Sequence, residues 1–311
     1  MKHDLDDVLA EVADVARPRA ADGRVTSYIE THANADPNSF GLAVVDMDGG
    51  EYITGDVDEP FAIQSISKVF SLVLAMQTAD QAEGVDKELW SRVGVEPSGD
   101  PFNSLVQLEH EEGRPRNPMI NAGALIVDDV LLNHREKPPQ AVIDLLSELA
   151  GDQVHLDEIV RDQTAEEAAR NRAIASLMAS FGNLSHDVEQ VLDAYVHQCA
   201  AAMTPRQLAR AVRFLGNDGV DPASGRQVLR AEQARRVAAL MITCGTYDSA
   251  GQFAFDVGFP CKSGVSGAIV GVVRHRFGVC VWSPPLEESG NSLAGHVALH
   301  ELAERLDLWS I

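Results

Sequence analysis

The chain has 311 residues, a formal net charge of −22 and 45% hydrophobic residues. That length and apolar share can fill a real core, as one large domain or two modest ones, and argue against wholesale disorder. The acidic balance, with lysine only at Lys2, Lys68, Lys87, Lys137 and Lys262, argues against a nucleic-acid surface, because phosphate binding needs clustered Lys and Arg.

The same acidity is consistent with a high-salt interior and equally with an Arg-rich, Ala-rich genome. Cys199, Cys244, Cys261 and Cys280 lie scattered without a CxxC pair, as inert thiols in a reducing compartment would. Residues 1–30 are dense in Asp, Glu and Arg with no apolar core of a secretory signal. No apolar run reaches the roughly 18 residues of a membrane span. A soluble, cytoplasmic protein is expected. His110, His155 and His186 show no metal-ligand spacing and read as solvated, so neither metal nor cofactor is expected.

Residues 4–16 carry apolar side chains at helical spacing, and a second short helix is expected over 24–32. Residues 40–47 are rich in β-formers, Asp48-Gly49-Gly50 signals a turn, and residues 51–54 pair back as a hairpin. The following stretch reads mainly as helices, over 68–77, 122–133, 141–149, 166–180, 188–201, 205–215 and 231–243. Thr204-Pro205 marks one start, with proline at the first helical position. Strand signals return at 267–274 and 276–282, and a helix over 292–308 closes the chain. Strands, a long helical stretch, strands and a helix imply an α+β fold: an antiparallel sheet flanked by helices with an inserted all-helical domain. The expected division is 1–64 with 241–311 as a discontinuous sheet domain, and 65–240 as the helical one. A doubly wound parallel sheet is excluded, because strands do not alternate with single helices.

Ser65-Ile66-Ser67-Lys68 opens an apolar helical run. Residues i and i+3 share a helix face, which sets the Ser65 hydroxyl beside the Lys68 amine. A lysine at a helix N-terminus in an apolar site is desolvated and opposed by the helix dipole, and both depress its pKa. A neutral amine can accept the serine proton and activate the nucleophile without histidine. Alone, SxxK is better explained by a solvated lysine one turn from a capping serine, and Ser67 is a further candidate for that cap. Lys262-Ser263-Gly264-Val265 leads into the strand signal at 267, where a Lys-Ser-Gly strand edge can line a pocket opposite such a serine. The two pieces together are more informative than either, since they use two of the five lysines in the expected order.

Further blocks sharpen this reading: Gly23–Ile29, Gln64–Val69, Glu96–Gly99, Arg116–Ala124, Cys244–Asp248, Gly251–Phe255, Lys262–Val265 and Trp282–Leu286. With these blocks the chain resembles the glutaminase family from about residue 20 to 300. The resemblance implies a serine β-lactamase-like or penicillin-binding-protein-like fold and hydrolysis of L-glutamine to L-glutamate and ammonia, in a dimer or tetramer of identical subunits. It implies Ser65 as nucleophile, Lys68 as proton acceptor, and Tyr28 and Tyr247 as pocket phenols that assist catalysis. It further implies substrate contacts from Asn121, Asn171, Tyr195 and Tyr247, and an oxyanion hole from the backbone N–H groups of Ser65 and Val265. Three of the chain's four tyrosines thus fall on family positions. Asn121 opens a helix, where its amide can serve as cap or ligand; Asn171 lies mid-helix, where asparagine is unfavourable.

One position departs from the family. A glutamate expected seven residues before Asn171, where it meets the substrate's α-ammonium, is replaced by Thr164, with Glu166 and Glu167 the nearest carboxylates. Two rival functions fit parts of the pattern. A β-lactamase or D,D-peptidase shares SxxK but acts outside the cytoplasm and carries a Ser-Asp-Asn motif that is missing here. A catalytically idle glutamine-binding protein would not need the intact Ser65, Lys68 and Lys262.

Overall fold

The structure, a computed structural model, describes residues 5–99 and 103–308. Eight strands are present among them: β1 (Gly41–Asp46), β2 (Glu51–Gly55), β3 (Phe61–Ala62), β4 (His155–Leu156), β5 (Ala201–Met203), β6 (Cys261–Gly264), β7 (Ala268–Val273) and β8 (Phe277–Trp282). Five form one antiparallel sheet in the order β2-β1-β8-β7-β6. The pairing of β1 with β8 joins sequence segments more than two hundred residues apart, with Gly41 opposite Trp282 and Asp46 opposite Phe277. The α+β plan read from the sequence is therefore observed, an antiparallel sheet flanked by helices.

Both faces of the central strands are buried, which explains their nearly continuous apolar composition. Leu42, Val44, Ile269, Val279 and Val281 face the first helix, Leu5–Ala16, and the last, Leu293–Leu306. The alternate residues Ala43, Val45, Val270, Val272 and Cys280 face the large helical core. Leu5–Ala16 buries Val8, Leu9, Val12, Ala13 and Ala16 along one stripe, as an amphipathic helix against a sheet should. The expected start at residue 4 lies outside the described residues.

Several expected elements change. No helix covers 24–32: the Arg24 backbone bonds Leu286 in both directions (2.9 and 2.8 Å), and only Glu30–Ala33 turns helically. The β-branched and aromatic residues Val25, Thr26, Tyr28 and Ile29 suit that extended path. The helix expected over 166–180 starts at Ala169 and runs to Ser180, and a separate, unexpected helix, Glu158–Glu166, precedes it. The stretch over 205–215 divides into Pro205–Ala211 and Arg213–Gly216, after a start where Thr204 caps Gln207 N–H in a capping box. Short helices over Val85–Arg92, Leu105–His110 and Ala250–Val257 have too few turns for periodicity to mark. The two-residue strands β3 and β4, which pair with β5, are likewise too short. His186 is not simply solvated: its Nδ1 lies 2.8 Å from Oδ1 of the buried Asp129, which also meets Arg92. The four cysteines are buried and free. Among the described residues no helix is long and apolar enough to cross a membrane.

Gly278 in β8 lets the helix Pro205–Ala211 lie directly on the sheet, because a Cβ there would overlap the Ala209 carbonyl. Gly251 sits in the helix Ala250–Val257 with open space around it and φ in the ordinary region. The two glycines should respond oppositely to alanine. Gly278→Ala is expected to lower unfolding free energy by about 1–3 kcal/mol through overpacking, whereas Gly251→Ala raises it by about 0.5–1 kcal/mol through helix propensity. Urea denaturation of both variants checks this; equal effects would contradict the packing described.

Candidate active site

Segments distant in sequence converge on one cavity of about 280 Å3, lined by Ser65, Asn121, Asn171, Tyr195, Tyr28 and Val265. Ser65 lies on a single 3-10 turn, Gln64–Ile66, that runs into the helix Ser67–Gln81. The turn is held in an unusual shape. Gln64 has φ +48°, a left-handed conformation that costs a non-glycine residue about 1–3 kcal/mol and needs surrounding contacts to enforce it. Those contacts are present. The Gln64 side-chain amide donates to Nε2 of buried His32 (3.1 Å), and the Gln64 carbonyl accepts from Ser67 Oγ (2.8 Å). Burial pushes His32 down to about 4, so its ring is neutral at ordinary pH and can accept.

The Lys-Ser-Gly strand reaches this turn. β6 packs against it through Gly264, where a Cβ would stand 2.8 Å from the Ile63 carbonyl oxygen. Tyr247, itself left-handed at φ +59°, lies between the two elements. Its hydroxyl donates to the Ser263 carbonyl (3.3 Å) and is hydrogen-bonded with the Ser65 side chain. Burial raises the Tyr247 phenol to about 12, against the pull of that Ser65 bond. Beneath the ring, 4.6 Å from its centroid, sits the buried amine of Lys262, donating to the carbonyls of Ser263 (2.6 Å) and Gly245 (2.9 Å).

Lys68 occupies the first turn of the helix that follows Ser65 and is fully buried. Its Nζ donates to Asn121 Oδ1 (2.6 Å) and the Met119 carbonyl (3.4 Å). Asn121 Oδ1 also accepts from the Tyr195 hydroxyl (3.3 Å), while Asn121 Nδ2 donates to Asn171 Oδ1 (2.9 Å). Asn121 makes no helix cap, which leaves its amide to serve the lysine. Asn171 is in the first turn of Ala169–Ser180 rather than mid-helix, so the pocket wall is a helix start and not an unfavourable helix interior. Among the described residues no hydrogen bond joins Ser65 directly to Lys68; the Ser65 hydroxyl is bonded with Tyr247 and the Lys68 amine with Asn121.

Burial pulls Lys68 down to about 8, with Cys199 and Asp128 opposing the shift. Asp128, the carboxyl nearest in charge to the amine, is itself pushed well up by burial and accepts from Gln198 Nε2 (3.0 Å). It makes no salt bridge with the amine, whose hydrogen-bond partners are the Asn121 and Met119 oxygens. Lys262 is likewise pulled well down, first by burial and then by Lys68. Tyr195 is pushed well up by burial. Tyr28 stands at the mouth, 37% exposed, with its phenol raised to about 12 first by burial and then by Cys199 and Glu167.

Thr164 and Glu167 line the cavity and Glu166 does not; Arg170 and Glu288 line it as well. Sequence reasoning missed the roles of Gln64, His32, Asp128, Arg170 and Glu288. Arg170 was within reach as the direct neighbour of Asn171, and Glu288 as the continuation of the Trp282–Leu286 block. The conformational strain at Gln64 and the depth of Asp128 have no signature in a single sequence. Among the described residues no cluster of His, Cys, Asp or Glu is arranged to hold a metal ion.

A strained serine turn, a buried amine free of salt bridges and an adjoining Lys-Ser-Gly strand meet at this cavity, a set of groups suited to hydrolytic chemistry. Residues 23–310 match the family described as Glutaminase. The chain is 50% identical to the glutaminase of Rhodopseudomonas palustris strain TIE-1 over 311 residues, covering 99% of this chain and 97% of that one. It is also 50% identical to the glutaminase of Mesorhizobium japonicum over 313 residues, covering 99% and 96%. Among solved structures, the probable glutaminase ybaS superposes with a TM-score of 0.90 at 32% identity, covering 98% and 97%. The probable glutaminase of Bacillus subtilis gives 0.88 at 33%, covering 97% and 96%. This chain belongs to the glutaminase family, and it is an amidohydrolase.

The electrostatics of Lys68 can be tested without any assay of turnover. Selective 13C labelling of lysine and a pH titration should show the Lys68 Cε resonance moving with a midpoint near 8, against about 10.4 for a solvated lysine. A midpoint above 10 would mean that the amine is solvated or ion-paired, contrary to the contacts described.

Proposed function

We propose that the enzyme hydrolyses the side-chain amide of L-glutamine to L-glutamate and ammonia through a γ-glutamyl ester on Ser65. The observation that carries this reading is the buried Lys68 amine, without a salt bridge among the described residues and lowered to about 8, one turn along the chain from Ser65. Ser65 Oγ attacks the amide carbonyl as its proton passes to the Lys68 amine, with the Tyr247 hydroxyl, already bonded to Ser65, steering the transfer. Tyr247 is a relay and not the resting base, since its raised pKa makes the phenolate scarce. The backbone N–H groups of Ser65 and Val265 are assigned to the tetrahedral oxyanion. The proton held by Lys68 leaves with ammonia, and a water molecule deprotonated by the same amine cleaves the ester. Each step returns the amine to its starting state, and none needs a cofactor.

Asn121 has two assignments in this scheme. It orients Lys68 through Oδ1 and, with Asn171 and Tyr195, forms the polar wall against which the substrate lies. The cost of burying an amine is offset by these hydrogen bonds, none of which would fix it in the protonated form as a carboxylate would.

Ser65→Ala is expected to lower ammonia release from glutamine by at least about 10^4-fold with an unchanged circular-dichroism spectrum. Rapid acid quench of the wild-type enzyme with glutamine should show Ser65 heavier by one glutamyl group; acylation at another residue, or full turnover by the alanine variant, would eliminate the scheme.

The pH dependence follows from the same amine. Below about 8 Lys68 is mostly protonated and cannot accept a proton, so kcat/KM should climb about tenfold per pH unit and level above that point. Lys68→Ala should remove this rise along with most activity. A wild-type profile flat between pH 6 and 9 would show that a different group is the base.

A further inference from the structure

The cavity holds more charge than amide cleavage requires. Its lining includes two carboxylates, Glu167 and Glu288, and one guanidinium, Arg170. A zwitterionic amino-acid head group carries one ammonium and one carboxylate, so one of the two acids has to meet the ammonium. Thr164 decides between them. It is 1% exposed, lies in the cavity wall, and its Oγ1 is buried without a hydrogen-bond partner. A buried hydroxyl left unpaired is costly and calls for a partner that completes it.

Thr164 belongs to the last turn of the helix Glu158–Glu166, and Glu167 is the residue that ends it. Three positions apart, the two share a face of that turn, whereas Glu166 is exposed and lies outside the cavity. Glu288 belongs to a different segment, the one that also contributes Leu286, Ser289 and Gly290. The Glu167 charge is felt at the Tyr28 phenol, which brings its carboxylate to the cavity mouth on the Thr164 side.

On the glutaminase reading above, we infer that Thr164 Oγ1 and the Glu167 carboxylate together receive the α-ammonium of the substrate. The pair splits one acceptor site into a buried neutral oxygen and an exposed charged one. The buried hydroxyl fixes direction, and the exposed carboxylate supplies charge that solvent and salt partly screen. Recognition of the α-amino group is therefore weaker and more salt-sensitive than a buried carboxylate at position 164 would make it.

The test compares glutamine with glutaramate, which is glutamine without its α-amino group, by ammonia release at low and high NaCl. The wild-type enzyme should prefer glutamine in kcat/KM, with the preference shrinking as salt rises. Glu167→Gln should cut that preference about tenfold, chiefly through KM for glutamine, and abolish its salt dependence. Thr164→Val, of nearly the same shape, should cut it several-fold, and Glu166→Gln should leave it as in the wild type. Retention of the wild-type preference by either Glu167→Gln or Thr164→Val, or its loss in Glu288→Gln, would overturn the assignment. Failure of the wild-type enzyme to release ammonia from glutamine would instead remove the glutaminase reading on which the assignment rests.

Discussion

The site depends on an amine buried among neutral oxygens. Lys68 is enclosed by the helical core, and its Nζ meets an amide oxygen and a backbone carbonyl rather than an acid. Had Asp128 been ionised beside it, the pair would have resembled a buried salt bridge, in which the amine stays protonated and useless as a base. Burial of Asp128, on the same helix as Asn121, opposes that outcome by pushing the carboxyl up, and no salt bridge joins it to Lys68 among the described residues. The helix Asn121–His134 thus performs two electrostatic tasks a couple of turns apart: it supplies the neutral acceptor and buries the nearby acid.

The fold brings the rest of the machinery to that amine through close backbone approaches. Gly264 allows β6 to press on the serine turn, and Gly278 allows the helix Pro205–Ala211 to press on β8. Pairing of β8 with β1 locks the two sequence-distant parts of the sheet into one surface. Because the central strands are buried on both faces, a register slip would exchange one packed face for the other and disturb both cores together. The position of the Lys-Ser-Gly strand is consequently as well determined as the core itself. Strain at Gln64 and Tyr247 can be maintained only in such surroundings.

Much of this was legible in the sequence, for identifiable reasons. The long apolar runs at 40–47 and 267–282 and the helical periods between them are strong signals, because burial imposes them over many residues. Ser65, Lys68, Asn121, Asn171, Tyr195, Tyr247 and Val265 do come together, and Tyr28 stands at the mouth. Spacing placed Ser65 and Lys68 on one helix face, but it fixes which face a side chain occupies and not which hydrogen-bond partner its tip selects. Tyr247 and Asn121 won that competition through long-range geometry. The segment 24–32 misled because its apolar spacing fits a helix, whereas its pairing with Leu286, over two hundred and fifty residues away, is invisible to any local pattern.

Charge in this cavity is divided by depth. The groups assigned to bond making and breaking, Ser65, Lys68 and Tyr247, are buried, and the carboxylate assigned to the α-ammonium, Glu167, is exposed. Ions in solution screen exposed charges across a Debye length of about 8–10 Å at moderate salt and leave buried ones largely untouched. The division therefore separates substrate capture, which the medium can tune, from proton transfer, which it cannot reach. For a protein with a net charge of −22, whose own field attracts cations to the cavity mouth and disfavours approach of anions, that separation keeps the pKa of Lys68 a property of the fold and not of the surrounding salt.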